Sequence, residues 1–455
     1  MVTPLCTGVT QADKNLEWFE HGVQLNHNHL QKARPTIRFG GKACLAYTTP
    51  LTKKTRFMNP ELQRLHPYPF EKLAALKAGI TPPAEKAHIA LSIGEPKHPA
   101  PAFVLEALSN SLDTMASYPL TKGSDELRTR IAHWISHRFG ISRENIDPDR
   151  QIIPVNGTRE ALFAFAQAVI DRGNTPLIVM PNPFYQIYEG AALLSGAEPY
   201  YLNTTADNDY LPDFDSVPES VWRACQLIYI CSPGNPTGAV IPYEQLQELI
   251  ELAEKYDFII ASDECYSEIY FDENRPAPGL LAAAANMGNH TFKRCVVFHS
   301  LSKRSNLPGL RSGFVAGDDK VIADFLRYRT YHGCAMAPPS QVASIAAWND
   351  EQHVIENRAM YRQKFEAAAH ILNPVIDIEI PEAGFYFWLK LPVDDTTFAQ
   401  RLFAEQNVTV LPGSFLSRTS ASLNPGEKHV RIALVADLDE CVEAATRIKN
   451  LLNVL

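Results

Sequence analysis

The feature that most restricts this chain is a rhythm between residues 150 and 320. Short apolar runs recur at 177–180, 227–230, 258–261, 295–298 and 314–316. Each has about the length of a strand, and none alternates with polar residues as a half-solvated strand would. Amphipathic stretches fall between several of them. Residues 243–256 place Leu246, Leu249, Ile250 and Ala253 at helical spacing, and 159–170 follow directly on Asn156-Gly157-Thr158. Strands buried on both faces and alternating with helices predict an α/β domain on a mainly parallel sheet. Beyond about residue 335 the texture changes. Helices are expected at 340–349 and 357–372, then shorter strands at 385–389, 408–411 and 430–434. These predict a smaller α+β domain.

Composition narrows what such a chain can do. With 455 residues, 45% hydrophobic and 20% charged, it is a folded protein rather than a disordered one. Lys and Arg number 42 against 51 Asp and Glu, a formal net charge of −9. That balance argues against nucleic-acid or anionic-membrane partners, which call for clustered cations. No apolar stretch approaches the roughly 18 to 20 residues of a membrane span. The eight cysteines are scattered without a Cys-x-x-Cys pair, so neither a zinc site nor a redox motif is expected. No secretory signal is visible, and reduced thiols in a cytoplasmic enzyme are the expectation. Residues 1–57 stand apart. They show no convincing period, and His21, His27 and His29 lack a clear ligand spacing in a polar stretch. We expect 1–57 to be an extension, poorly ordered or dispensable, with the fold beginning at Met58. Residues 58–110 would then form an N-terminal arm and part of the small domain, 111–335 the large domain, and 336–455 the small C-terminal domain.

Ligands of open α/β sheets bind beyond the carboxyl ends of the strands. Just past the apolar runs stand Asn182-Pro183-Phe184-Tyr185, then Ser232-Pro233-Gly234-Asn235-Pro236-Thr237-Gly238, then Ser262-Asp263-Glu264-Cys265-Tyr266, then Ser300-Leu301-Ser302-Lys303. An aromatic ring, an amide, an acid with a phenol, and a lysine between hydroxyls therefore emerge at one edge. Arg311 and the helix opening at Gly157-Thr158 add anion binders. Pyridoxal phosphate has a counterpart for each: an aldehyde, a flat ring, a phenolic oxygen, a protonatable ring nitrogen and a phosphate.

The last three of these segments, with Asn156-Gly157-Thr158-Arg159 ahead of them, resemble the fold-type I aminotransferases in order and separation, including the forty residues from Asp263 to Lys303. The resemblance is closer still to the proteobacterial N-succinyldiaminopimelate aminotransferases of lysine biosynthesis. LSIGEPKHPAP (91–101), NPFYQIYEGA (182–191), IIASDECYSEIYFD (259–272), SLSKRSNLPGLRSGFVAGD (300–318) and VRIALVAD (430–437) carry it. It covers residues 58–455. A fold-type I architecture follows from it as an expectation, with a large cofactor-binding domain and a smaller α+β domain.

The resemblance implies a role for each residue. Lys303 would bond the cofactor aldehyde and shuttle the substrate's Cα proton. Asp263 would keep the pyridine nitrogen protonated. Asn235 and Tyr266 would hydrogen-bond the phenolic oxygen, Asn235 also facing substrate, although Gly-Asn-Pro is a turn signal in its own right. Tyr185 would stack on the ring, with Phe184 as its rival. The phosphate would fall to the backbone N–H groups of Gly157, Thr158 and Arg159 with Ser300, Ser302 and Arg311. Tyr118 matches a tyrosine that reaches the neighbouring subunit's phosphate, which implies a homodimer. Arg431 would clamp the substrate α-carboxylate in bidentate fashion, close to the Gly94 backbone.

The reaction implied is a ping-pong transfer of an amino group between glutamate and N-succinyl-2-amino-6-oxopimelate, with small amino and oxo acids as the only partners besides a second subunit. Both substrates carry a distal carboxylate. Arg327 and Arg329 are nearby candidates for it, equally readable as solvated helix charges. The core motifs leave other activities open: acetylornithine-type or aromatic aminotransferases, a β-lyase, and remotely a regulator with an aminotransferase-like domain.

Overall fold

The apolar rhythm becomes a seven-stranded sheet in the computed structural model, which describes residues 58–455. The expectations placed on residues 1–57, their histidines included, lie outside the described residues. A two-residue strand β1 (Ile89–Ala90) precedes the sheet. The sheet itself comprises β2 (Ile152–Val155), β3 (Leu177–Asn182), β4 (Glu198–Asn203), β5 (Cys225–Cys231), β6 (Ile259–Asp263), β7 (Cys295–Ser300) and β8 (Gly313–Gly317). Their spatial order is β2-β8-β7-β6-β5-β3-β4. Neighbours from β4 across to β7 are parallel, while β8 runs antiparallel to both β7 and β2. The carboxyl ends of six strands and the start of β8 thus share one edge. Register places Gly313 beside both Val155 and Ser300, and Cys231 beside Asp263.

Two strands escape the hydrophobic pattern. β2 contains Pro154, which argues against a central strand, and it is tolerated because β2 lies at the sheet's edge. β4, at the other edge, is mostly half-exposed and reads as mixed rather than apolar. The helices match their spacing: Tyr243–Tyr256 buries Leu246, Leu249, Ile250 and Ala253 against the sheet, and Thr158–Val169 follows β2 directly.

The smaller layer is a three-stranded sheet of β9 (Tyr386–Lys390), β11 (Leu411–Pro412) and β12 (His429–Ala433), in the order β11-β12-β9. The single strand expected at 408–411 divides in two. β10 (Val408–Thr409) pairs with β1 and β11 with β12, because the chain steps from one sheet to the next around buried Val410. The helices Gln352–Leu372 and Leu438–Leu452 share this sheet's core through Tyr361, Phe365, Ala444 and Ile448. The helix Pro338–Asn349, in contrast, sends Ala343, Ala347 and Trp348 into the core of the large sheet. The division expected at 336 accordingly becomes, as a proposal, one at Asp350. No helix among the described residues is long and apolar enough to cross a membrane.

Candidate active site

A cavity of about 630 Å³ opens where the carboxyl edge of the large sheet faces the small one. Every expected site residue lines it except Gly157, which lies behind Arg311, and Tyr118, which is fully exposed on the surface of its own chain. Phe184, the rival to Tyr185, is buried beneath Arg418 and stacked on Tyr201, whereas Tyr185 faces the cavity.

One side of the cavity suits a phosphate. The helix Thr158–Val169 begins after Gly157, whose φ of +84° favours glycine, and no side chain caps it. Its first-turn N–H groups are therefore available to an anion. A Cβ at Gly157 would run into the Arg311 guanidinium, so the cradle is shaped around that side chain. Arg311, itself left-handed at φ +55°, donates to Pro308 O at 3.0 Å. Ser300 and Ser302 close this side, the Ser300 hydroxyl accepting from the Ser302 N–H at 3.1 Å.

Deeper in lies Asp263, at the end of β6. Its carboxylate accepts from the Tyr188 hydroxyl at 2.7 Å and the Cys265 N–H at 3.3 Å, and burial raises its pKa. No cation pairs with it among the described residues. A buried carboxylate in that state is costly until a positive group meets it. A protonated ring nitrogen is such a group, and the flat ring has Tyr185 beside it. The donor set, the buried carboxylate and the anion cradle together fit pyridoxal phosphate.

Lys303 sits in the short helix Leu301–Arg304 that follows β7 and donates to Gly94 O at 2.6 Å. Burial, aided by Arg431 and Arg159, lowers its amine to about 8. Roughly a tenth of it is then neutral at pH 7, against well under a thousandth for an ordinary lysine. Neutrality is what nucleophilic attack and proton abstraction require. The facing wall is polar and aromatic. Tyr266 and Tyr386 hydroxyls lie 2.9 Å apart, and burial raises the pKa of both. Gly94 packs so closely on Tyr386 that a Cβ would overlap its hydroxyl.

Arg431, central on β12, is 5% exposed and faces the same space. Its Nη1 donates to Asn235 Oδ1 at 2.9 Å and its Nη2 to Ser92 O at 2.7 Å. Its guanidinium lies 4.4 Å from the Tyr386 ring centroid, and its Nε has no partner among the described residues. Two residues here have no signal just past a strand. Tyr386 opens β9 and Tyr188 is the second residue of the helix Ile187–Ser195, so a reading confined to strand ends misses both.

The arginines at 327 and 329 are elsewhere. Arg327 is exposed and 3.3 Å from Asp324, while Arg329 is wholly buried and bonded to Glu160 at 2.9 and 3.0 Å. Neither lines the cavity of its own chain. Glu160, His332 and Cys334 bring ligand-type atoms within 4.8 Å of one another, but the Glu160 carboxylate is already engaged by Arg329.

A sheet edge that offers a depressed lysine, a buried acid and an anion cradle defines a pyridoxal-phosphate enzyme of the aminotransferase type. The profile of the class I and II aminotransferases matches residues 86–448, and the chain belongs to this pyridoxal-phosphate-dependent family. Among its relatives, an LL-diaminopimelate aminotransferase of Nitratidesulfovibrio vulgaris is 32% identical over 396 residues, 86% of this chain and 98% of the relative. An aminotransferase structure from Neisseria meningitidis is 51% identical, with a TM-score of 0.83 over 87% of this chain and 100% of its own. A probable N-succinyldiaminopimelate aminotransferase of Thermus thermophilus is 29% identical, with a TM-score of 0.74 over 84% of this chain and 99% of its own.

Proposed function

We propose that this aminotransferase moves an amino group between glutamate/2-oxoglutarate and N-succinyl-2-amino-6-oxopimelate/N-succinyl-LL-2,6-diaminopimelate, a step of lysine biosynthesis. The observation that carries it is a count of charges. Three arginines line the cavity without a carboxylate partner among the described residues: Arg159, Arg311 and Arg431. Glutamate and 2-oxoglutarate each bring two carboxylates, the succinylated substrate brings three, and the cofactor brings a phosphate. In this reading Arg311 and the helix N-terminus hold the phosphate, and Arg431 with the Gly94 backbone holds the α-carboxylate. Arg159 is left for the distal carboxylate. Its Nε donates to the Tyr185 hydroxyl at 2.6 Å, and its two Nη groups have no partner among the described residues.

Bound pyridoxal phosphate supplies an electron sink for the carbanion formed at the substrate's Cα. The chain's own residues do the rest. Lys303, its amine brought nearer to neutrality by burial, takes the Cα proton and returns it. Asp263 keeps the ring nitrogen protonated. Asn235 and Tyr266 hold the phenolic oxygen, and Tyr185 confines the ring. Exposed Leu112, Met115, Tyr118 and Leu120 form an apolar stretch that supports a homodimer in which Tyr118 reaches the partner's phosphate.

The names of relatives such as the Nitratidesulfovibrio enzyme favour a second reading, with unmodified LL-diaminopimelate as the amino acid. Arg159→Gln tests the first. It keeps the backbone N–H and removes the charge, so the KM for glutamate and 2-oxoglutarate should rise about 10- to 100-fold, since a charged hydrogen-bonded contact is lost. Alanine turnover should change less than about threefold by the same argument. Equal losses for alanine and glutamate would remove Arg159 from this role.

A further inference from the structure

The segment that follows β1 is tied to Lys303 twice. The first tie is the amine, which donates to Gly94 O at 2.6 Å. The second lies four residues on, at His98. Its Nδ1 is 2.8 Å from Asn357 Oδ1, and Asn357 Nδ2 donates to the main-chain oxygens of Lys303 at 3.2 Å and Arg304 at 3.4 Å. Asn357 belongs to the helix Gln352–Leu372 and is 1% exposed.

Each proton in this chain has one direction open to it. The two carbonyls fix the Asn357 amide nitrogen as donor. Its Oδ1 then accepts, from His98 and from Asn306 Nδ2 at 3.0 Å. A proton on His98 Nδ1 leaves Nε2 as an acceptor, and there Lys364 Nζ approaches to 2.5 Å. Lys364 is buried, pairs with no carboxylate among the described residues, and is held by burial at about 8. Both His98 and Lys364 also lie against the Tyr361 ring, at 4.7 and 5.1 Å. A buried lysine with no counter-ion is expensive to keep. Here it orients an imidazole.

The two ties fare differently during catalysis. The Lys303 amine must leave Gly94 O to bond the cofactor, whereas the imidazole tie involves no reacting atom. We propose that His98 is a positioning residue: through Asn357 it keeps the Gly94 segment, and with it the carboxylate end of the substrate, in register with the Lys303 main chain. The inference rests on reading Lys303 as the reacting amine and Gly94 with Arg431 as the carboxylate site.

Two substitutions separate positioning from mere packing. His98→Asn keeps a donor near Nδ1, and His98→Gln keeps a polar group near Nε2 but none facing Asn357. The apparent Kd for L-glutamate, read from the spectral change of the holoenzyme, should rise about tenfold in His98→Gln, a displacement of the order of an ångström at the site. In His98→Asn it should stay within about threefold, even though Lys364 loses its acceptor and the Tm falls further. Asn357→Ser should match His98→Gln, and it carries the comparison if His98→Gln does not fold. Equal Kd in the Gln and Asn variants, or a Kd that follows the order of Tm, would overturn the proposal. Failure of the underlying reading would show in the wild type instead, as a holoenzyme spectrum unmoved by L-glutamate.

Discussion

Lys303→Ala should lower glutamate-dependent amino transfer by at least roughly 10⁴-fold while leaving the fold intact. Two functions vanish with the side chain: the amine that bonds the cofactor and the base that moves the Cα proton, and general acid–base catalysis alone contributes about 10²- to 10⁴-fold. The structure makes the loss hard to compensate. Among the described residues, no other lysine lines the cavity. The phenols of Tyr266 and Tyr386, which line the same cavity, are pushed up by burial and are poor bases at neutral pH. Stability should change little or rise, because a buried amine held at about 8 pays for its desolvation in the folded state. The sign follows from linkage. A lysine whose folded pKa lies below its unfolded value binds fewer protons when folded, so it weakens the fold most below pH 8. Removing it should therefore raise the Tm of the cofactor-free protein most at low pH. The cofactor's visible band should shift to that of free aldehyde, and transfer at near wild-type rate would show that another group reacts.

Arg431→Leu should weaken both half-reactions together, for amino acid and oxo acid alike. The side chain is buried, and its Nη groups anchor Asn235 and the Ser92 carbonyl. Substrate α-carboxylate would meet a guanidinium already fixed in place, so little ordering is needed on binding. Losing a buried, hydrogen-bonded charge partner costs about 2–4 kcal/mol, roughly 30- to 1,000-fold in affinity. Arg431→Lys should recover only part, because an ammonium cannot make two parallel bonds to one carboxylate. Measured KM values for glutamate and 2-oxoglutarate that stay within twofold of wild type would take Arg431 out of this position. The variant should also lose stability, since Ser92 O and Asn235 Oδ1 keep no donor in its place, a cost of about 1–3 kcal/mol.

The large sheet is legible in the sequence because its central strands are buried on both faces and read as unbroken apolar runs. Where burial is partial the signal fades, as at β4, and a proline in edge strand β2 disguises it. The site is legible for a related reason. Parallel strands deliver their following residues to one edge, so Asn235, Asp263 and Lys303 can be placed together from order alone. Partners that arrive from another layer carry no such mark. Tyr386 and Asn357 come from the small domain and His98 from a loop, and only the packing of two layers shows that they meet Gly94 and Lys303. The same limit applies to Arg327 and Arg329, whose sequence neighbourhood says nothing of the buried pair that Arg329 makes with Glu160.

In the proposed reaction the cavity takes a dicarboxylic donor and a succinylated diaminopimelate. Purified protein loaded with pyridoxal phosphate should be assayed for 2-oxoglutarate-dependent deamination of N-succinyl-LL-2,6-diaminopimelate and of unmodified LL-diaminopimelate. The kcat/KM should be at least about 100-fold higher for the succinylated compound, because the unmodified amino acid would bring a second ammonium group against Arg159 and Arg431. Equal values, or a preference for the unmodified amino acid, would contradict it.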